Sequence, residues 1–145
     1  MNKILTRERL YQLLFAEDFS EFENKNWEST LDVVAGIDRN DITGKITLTN
    51  EELDYIKTIY KDILKNQETI KDVLNSVLKG YTLKQLNHSD KAVLMLSVYE
   101  MLFTDTPKKV SINEAVKLAK KFGGEKSSSF VNGVLAGVLK KIDEW

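Results

Sequence analysis

The chain has 145 residues, 42% of them apolar, with 21 Lys and Arg against 22 Asp and Glu, one His, no Cys and a formal net charge of −1. That length suits one domain or two intimate halves, with roughly two-thirds of the unfolded surface buried on folding. Lack of cysteine excludes disulfide frameworks, thiolate metal sites and cysteine nucleophiles, and near-neutrality argues against gripping nucleic acid by bulk charge alone.

No apolar run approaches the roughly 18 residues needed to span a bilayer; the longest, Ala92 to Tyr99, is interrupted by Ser97. Met1 to Leu5 is too short for a secretory h-region and is followed by Arg7, Glu8 and Arg9, so no leader is expected. The expected location is cytoplasmic, with no membrane association.

Apolar residues recur three and four apart through most of the sequence, which predicts an all-α fold of about seven helices in two packed small bundles. The first helix is expected over Thr6 to Asp18, with Leu10, Leu13 and Leu14 inward. A short second helix spans Trp27 to Ala35, and Gly36 to Thr49 reads as a connecting loop. Thr49 with Glu52 forms a capping box that opens a third helix, whose stripe is Leu53, Ile56, Ile59, Tyr60, Ile63 and Leu64. A fourth helix covers Gln67 to Leu78, with Gly80 as its left-handed stop.

Asn87 or Ser89 caps the next helix, which runs to Phe103 and is apolar around so much of its circumference that it should be the central one. Asp105, Thr106 and Pro107 break it. Ser111 with Glu114 reads as a second capping box, opening a helix with Ile112, Ala115, Val116, Ala119 and Phe122 on its inner face and Gly123-Gly124 at its end. The final helix, Ser127 to Asp143, turns Phe130, Val131, Val134, Leu135, Val138, Leu139 and Ile142 inward; Gly133 and Gly137 within it suggest close backbone approach. A seam is expected near Gly80. Residues 1–80 carry 11 basic and 15 acidic side chains, and residues 81–145 carry 10 and 7, so the second half is the anion-facing one.

Catalytic constellations are scarce. His88 stands beside Asn87, Ser89 and Asp90 at a helix start, without a nucleophile elbow or other triad context. One His with scattered carboxylates makes no transition-metal set, and neither an EF-hand, a P-loop nor a dinucleotide fingerprint occurs. No enzyme activity, cofactor or metal is expected.

The basic residues are better placed. Lys117, Lys120 and Lys121 lie on the outward side of their helix, Lys126 follows the glycine turn, and Phe122 and Phe130 stand beside them. Cations with exposed rings are the recipe for single-stranded RNA recognition, whereas solvated lysines around core phenylalanines are the plain structural alternative. Arg7, Tyr11 and Phe15 follow at i, i+4, i+8 with Lys3 and Arg9 nearby, forming either a second binding ridge or inter-helix packing.

The run Ser111-Ile112-Asn113-Glu114-Ala115-Val116-Lys117-Leu118-Ala119-Lys120-Lys121-Phe122-Gly123, followed by Ser129-Phe130-Val131-Asn132-Gly133-Val134-Leu135, resembles the signature of the NusB family of bacterial antitermination factors. Asp90-Lys91-Ala92-Val93-Leu94 and Val98-Tyr99-Glu100 resemble the family's preceding helix, and Arg7-Glu8 with Gln12, Leu14 and Phe15 its opening helix. The resemblance implies a non-enzymatic protein that binds boxA RNA together with the ribosomal protein NusE and joins an RNA polymerase antitermination complex. It implies RNA contacts from Arg7, Phe122, Lys126 and Phe130, and a partner surface including Asp90; Lys3, Lys120 and Lys121, from the placement of the basic residues, complete the expected RNA-binding set. Where the family opens with an arginine cluster, Met1 to Thr6 offers only Lys3 and the α-amino group, and Lys126 stands where relatives often carry an acid. The alternatives are an RNA-independent or self-associating helical module, with a homodimer as its simplest form, and a helical RNA-binding subunit of an RNA-modifying enzyme.

Overall fold

A computed structural model describes residues 1–19, 26–35 and 48–143. Among them are seven α-helices: α1 Lys3–Asp18, α2 Trp27–Val34, α3 Asn50–Lys65, α4 Gln67–Val77, α5 His88–Phe103, α6 Lys108–Gly123 and α7 Glu125–Asp143, with a 3₁₀ turn at Leu83–Gln85. No strand occurs among the described residues. The all-α expectation therefore holds. The loop expected over Gly36 to Thr49 falls, from 36 to 47, outside the described residues.

Two compact units are present, Met1–Asp62 and Ile63–Trp145, with their boundary inside α3. Charge and Gly80 had suggested a seam some eighteen residues later. The difference has a packing cause. Helix α4 buries Ile70, Val73 and Leu74 and packs against α5 and α7, and Asn75 Oδ1 accepts from the Leu83 amide at 2.8 Å, binding α4 to the chain beyond Gly80. Gly80 has φ +84° but lies in the turn after α4, whose own end is marked by extended Leu78. With the boundary at 62/63 the charge contrast widens: the first unit holds 8 basic and 13 acidic side chains, the second 13 and 9.

In the first unit, α1 packs on α2, and Leu10, Leu13 and Leu31 are fully buried. Trp27 of α2 meets Tyr60 of α3 with ring centroids 4.8 Å apart. The expected capping box forms: Glu52 N donates to Thr49 Oγ1 at 3.1 Å, and Thr49 N donates to Glu52 Oε1 at 3.0 Å. Of the stripe expected on α3, Ile56, Tyr60 and Ile63 are buried, Leu53 and Ile59 are half-buried, and Leu64 is exposed, while Glu52 is buried at the helix start.

In the second unit α5 is the enclosed helix: every residue from Ala92 to Met101 is buried, and α4, α6 and α7 all pack on it. Asn87, rather than Ser89, caps it by accepting from Asp90 N at 2.8 Å. Ser111 does not open α6. That helix begins at Lys108, because the Pro107 carbonyl accepts from both Val110 and Ser111 amides, leaving Ser111 fully buried one turn inside. Glu114 instead faces Lys117 at 3.4 Å.

The helical glycines of α7 also depart from expectation. A Cβ at Gly133 would meet nothing within 4 Å, and one at Gly137 would make ordinary contact with Val77 Cβ at 3.6 Å. Close approach occurs instead at Gly123, where an added Cβ would stand 2.7 Å from Ser127 Cβ. Of the α7 residues expected inward, Val131, Leu135 and Val138 are buried; Phe130, Val134, Leu139 and Ile142 are half-buried.

Candidate nucleic-acid interface

The junction of α6 and α7 is built by two glycines with different tasks. Gly123 ends α6 without a side chain, so Ser127 can close against it; Gly124 then turns the chain at φ +89°, ψ −170°, a conformation essentially reserved for glycine. Helix α7 therefore starts within one residue of the end of α6, and the lysines flanking this turn are brought to a common edge.

Along that edge Lys120, Lys121, Phe122 and Lys126 are exposed. Helical spacing puts Phe122 on the inner face of α6, whereas RNA contact requires it exposed; the buried side of α6 is Ser111, Ala115, Leu118 and Ala119, which leaves Phe122 37% exposed. The Lys121 ammonium lies 5.4 Å from the centre of the Phe122 ring, a cation–π arrangement. Lys120 Nζ stands 3.4 Å from Glu125 Oε1; both are well exposed, so this is a weak pair that a phosphate can displace. Lys126 makes no ion pair among the described residues.

Phe130 lies one helical turn after Lys126 and is half-buried, its ring stacked on that of Tyr81 with centroids 6.2 Å apart and planes 29° apart. The pair forms part of the wall of a groove of about 430 Å³, completed by Gln85, Leu86, Asn87 and Asp90. Sequence reading did not single out Tyr81 and Gln85. Their only signal was position, directly after Gly80, in a segment too short for helical periodicity. Asp90, expected on a partner surface, is 7% exposed: its Oδ2 accepts from Asn87 Nδ2 at 3.1 Å, and its Oδ1 has no hydrogen-bond partner.

The opening-helix residues belong to the other unit and behave differently. Arg7 is 9% exposed and already holds an interaction within the protein, and Tyr11 is buried and stacked with Phe15 at 6.0 Å. Arg7 and Tyr11 are thus largely packed within the first unit, Phe15 is half-buried, and Lys3 is exposed at the start of α1. His88 is the half-buried first residue of α5. No group of three or more metal-ligating side chains occurs, and no helix is long and apolar enough to cross a membrane, among the described residues.

A two-unit, all-helical protein with a lysine- and phenylalanine-bearing edge on its basic unit is the class these features define. The NusB family model matches residues 4–140, and the chain belongs to the NusB family. It is 38% identical to the transcription antitermination protein NusB of Clostridium botulinum (strain Loch Maree / Type A3) over 96% of this chain and 100% of that protein. It is 39% identical to the protein of the same name from Campylobacter jejuni (strain RM1221) over 70% of this chain and 76% of the relative. Among solved structures it matches T. maritima NusB with a TM-score of 0.81 at 29% identity, covering 97% of this chain and 92% of that one. It shares its fold, at a TM-score of 0.77 and 22% identity over 97% of this chain and 99% of the other, with a chain from a crystal structure of antitermination factors NusB and NusE in complex with dsRNA.

Proposed function

We propose that this chain is a non-enzymatic, cytoplasmic transcription antitermination factor that binds boxA-type single-stranded RNA together with NusE and so suppresses termination in ribosomal RNA operons. Membership of the NusB family over nearly the whole chain supports the biological role. The observation that carries the chemistry is the exposed edge of Lys120, Lys121, Phe122 and Lys126, continued by the Phe130 ring. Lysines at such an edge neutralise phosphates and release counterions, and exposed rings stack on unpaired bases. Affinity is then salt-dependent, while discrimination comes from stacking and base edges.

Charge explains why a partner is needed. The first unit carries a net −5 and the second a net +4, so long-range attraction for RNA is largely cancelled and binding rests on local contacts. NusE, joined to the polymerase complex, adds contacts to the same RNA and makes assembly cooperative. The test is RNA binding across a salt series, with a boxA oligonucleotide and a scrambled control, in the presence and absence of NusE. The expected result is tighter, sequence-dependent binding with NusE; equal affinity under all four conditions overturns this reading.

A further inference from the structure

We propose that the outer face of α6, near its start, is a docking surface for an acidic protein segment. Lys109 and Lys117 would meet its carboxylates, and Val110 with Phe103 would receive an apolar residue beside them. This goes beyond the RNA-binding reading above and does not depend on it.

The face follows from helix geometry. Asn113, Lys117 and Val110 lie about 40°, 80° and 100° round α6 from Lys109, so the four share one side. All four are exposed, while Ser111, Ala115, Leu118 and Ala119 are buried on the other side. Glu114, the one acid of α6, is half-buried. Lys109 makes no ion pair among the described residues, and Lys117 has Glu114 at 3.4 Å, a solvated contact that a partner's carboxylate can replace.

One end of the face is apolar. Val110 is 42% exposed in the first turn of α6, and Phe103, the last residue of α5, is 40% exposed. Only the short turn 104–107 separates their helices, which pack against each other, so both residues stand at one corner of the second unit. One side of the Phe103 ring is already occupied by Tyr99, with centroids 5.6 Å apart, which fixes the ring in place. A rigid apolar anchor bordered by cations suits protein recognition, because the anchor slows dissociation and the charges steer approach.

Two other occupants fit less well. RNA phosphates match the lysines, but Phe122 lies about 220° round α6 from Lys109, and aliphatic Val110 offers a base no ring to stack on. A second copy of this chain presents a first unit of net −5, but such a contact joins two different surfaces and, unless its rotation closes, extends into open chains. A separate acidic segment satisfies both halves of the face. Lys109 and Lys117 are about 12 Å apart along the axis, so two helical turns of partner suffice.

The experiment follows binding of the full chain to a labelled helical peptide rich in Glu that carries a Leu–Phe pair, to the same peptide with Ser in place of the pair, and to boxA-type RNA. The apolar peptide should bind more tightly, a comparison read on the unaltered protein. Combining Lys109→Glu with Lys117→Glu should weaken peptide binding by about tenfold or more and RNA binding far less. Val110→Ser should erase the difference between the peptides, and saturating RNA should leave the peptide bound. Absence of peptide binding, equal losses for peptide and RNA, or displacement of the peptide by RNA overturns the proposal. A mass that rises with concentration in wild type but not in the double lysine variant assigns the face to a second copy, and the proposal fails. Loss of RNA binding with peptide binding intact overturns the proposed function alone.

Discussion

Glu52 accepts a hydrogen bond from the Asn2 amide at 2.7 Å, and with its other oxygen one from the Thr49 amide at 3.0 Å. Asn2 is the N-cap of α1, and Thr49 precedes α3, so a single carboxylate links the starts of two helices fifty residues apart. Unpaired amides at helix N-termini favour negative charge, and here one group serves two termini. The Thr49 backbone bond, followed by that from Asn2, holds the Glu52 carboxyl below its ordinary 4.5.

The sign of the resulting pH effect follows from linkage. A carboxylate whose pKa is depressed by folding stabilises the protein above its unfolded value, and that stabilisation is lost as pH falls through the folded pKa. Thermal melts of wild type and Glu52→Gln should therefore differ most at neutral pH, with wild type higher. The gap should close as the solution is acidified below 4.5. A gap independent of pH speaks against the carboxylate link.

At the alkaline end, burial pushes the Tyr60 hydroxyl well above its ordinary 10.0, with the nearby Glu17 charge adding to the effect. A raised pKa means that stability is fully present below 10.0 and declines as pH rises beyond it, because the unfolded chain ionises first. The tyrosinate absorbance that Tyr60→Phe removes should, in wild type, develop only with unfolding. Its appearance in a protein that retains full helicity contradicts this placement.

Glycine substitutions should separate by sign. Gly133→Ala replaces an exposed mid-helix glycine with open space around it and should stabilise by about 0.5–1 kcal/mol. Gly124→Ala forces a side chain into a conformation at φ +89° and should destabilise by roughly 1–3 kcal/mol. Chemical denaturation of both variants measures the pair; the same sign for the two is the contrary outcome.

Leu135 is fully buried in the second unit, and Leu135→Ala should cost roughly 2–5 kcal/mol through lost apolar transfer and the cavity left behind. Equilibrium unfolding in urea provides the value. A loss well under 1 kcal/mol contradicts its position in the core.

Lys121→Glu and Lys126→Glu should weaken RNA binding while leaving unfolding close to wild type, since both side chains are exposed. Each lost phosphate contact lowers the salt-dependence slope on single strands by about 0.7. Titrations at several salt concentrations read this directly, and unchanged slopes return the lysines to mere solvation of the helix.

Much of this was legible from local pattern. Helical periodicity gave the number and order of helices, and Thr49 with Glu52 marked the start of α3 because a capping box is completed within four residues. The same motif at Ser111 and Glu114 misled, since Pro107 supplied a carbonyl for the helix start four residues earlier. The basic edge could be named from sequence because its lysines lie on one or two turns of adjoining helices.

The sequence by itself determined the helical class, the absence of thiol chemistry and the concentration of positive charge in the later half. Each depends on composition or on neighbours a few residues apart. Only tertiary structure decided that Phe122 faces outward while Arg7 is buried, that α4 belongs with the C-terminal helices, and that Tyr81 meets Phe130 beside the unpaired oxygen of Asp90. Those outcomes depend on which side of each helix its neighbours cover, and periodicity locates an apolar stripe without specifying what lies across from it.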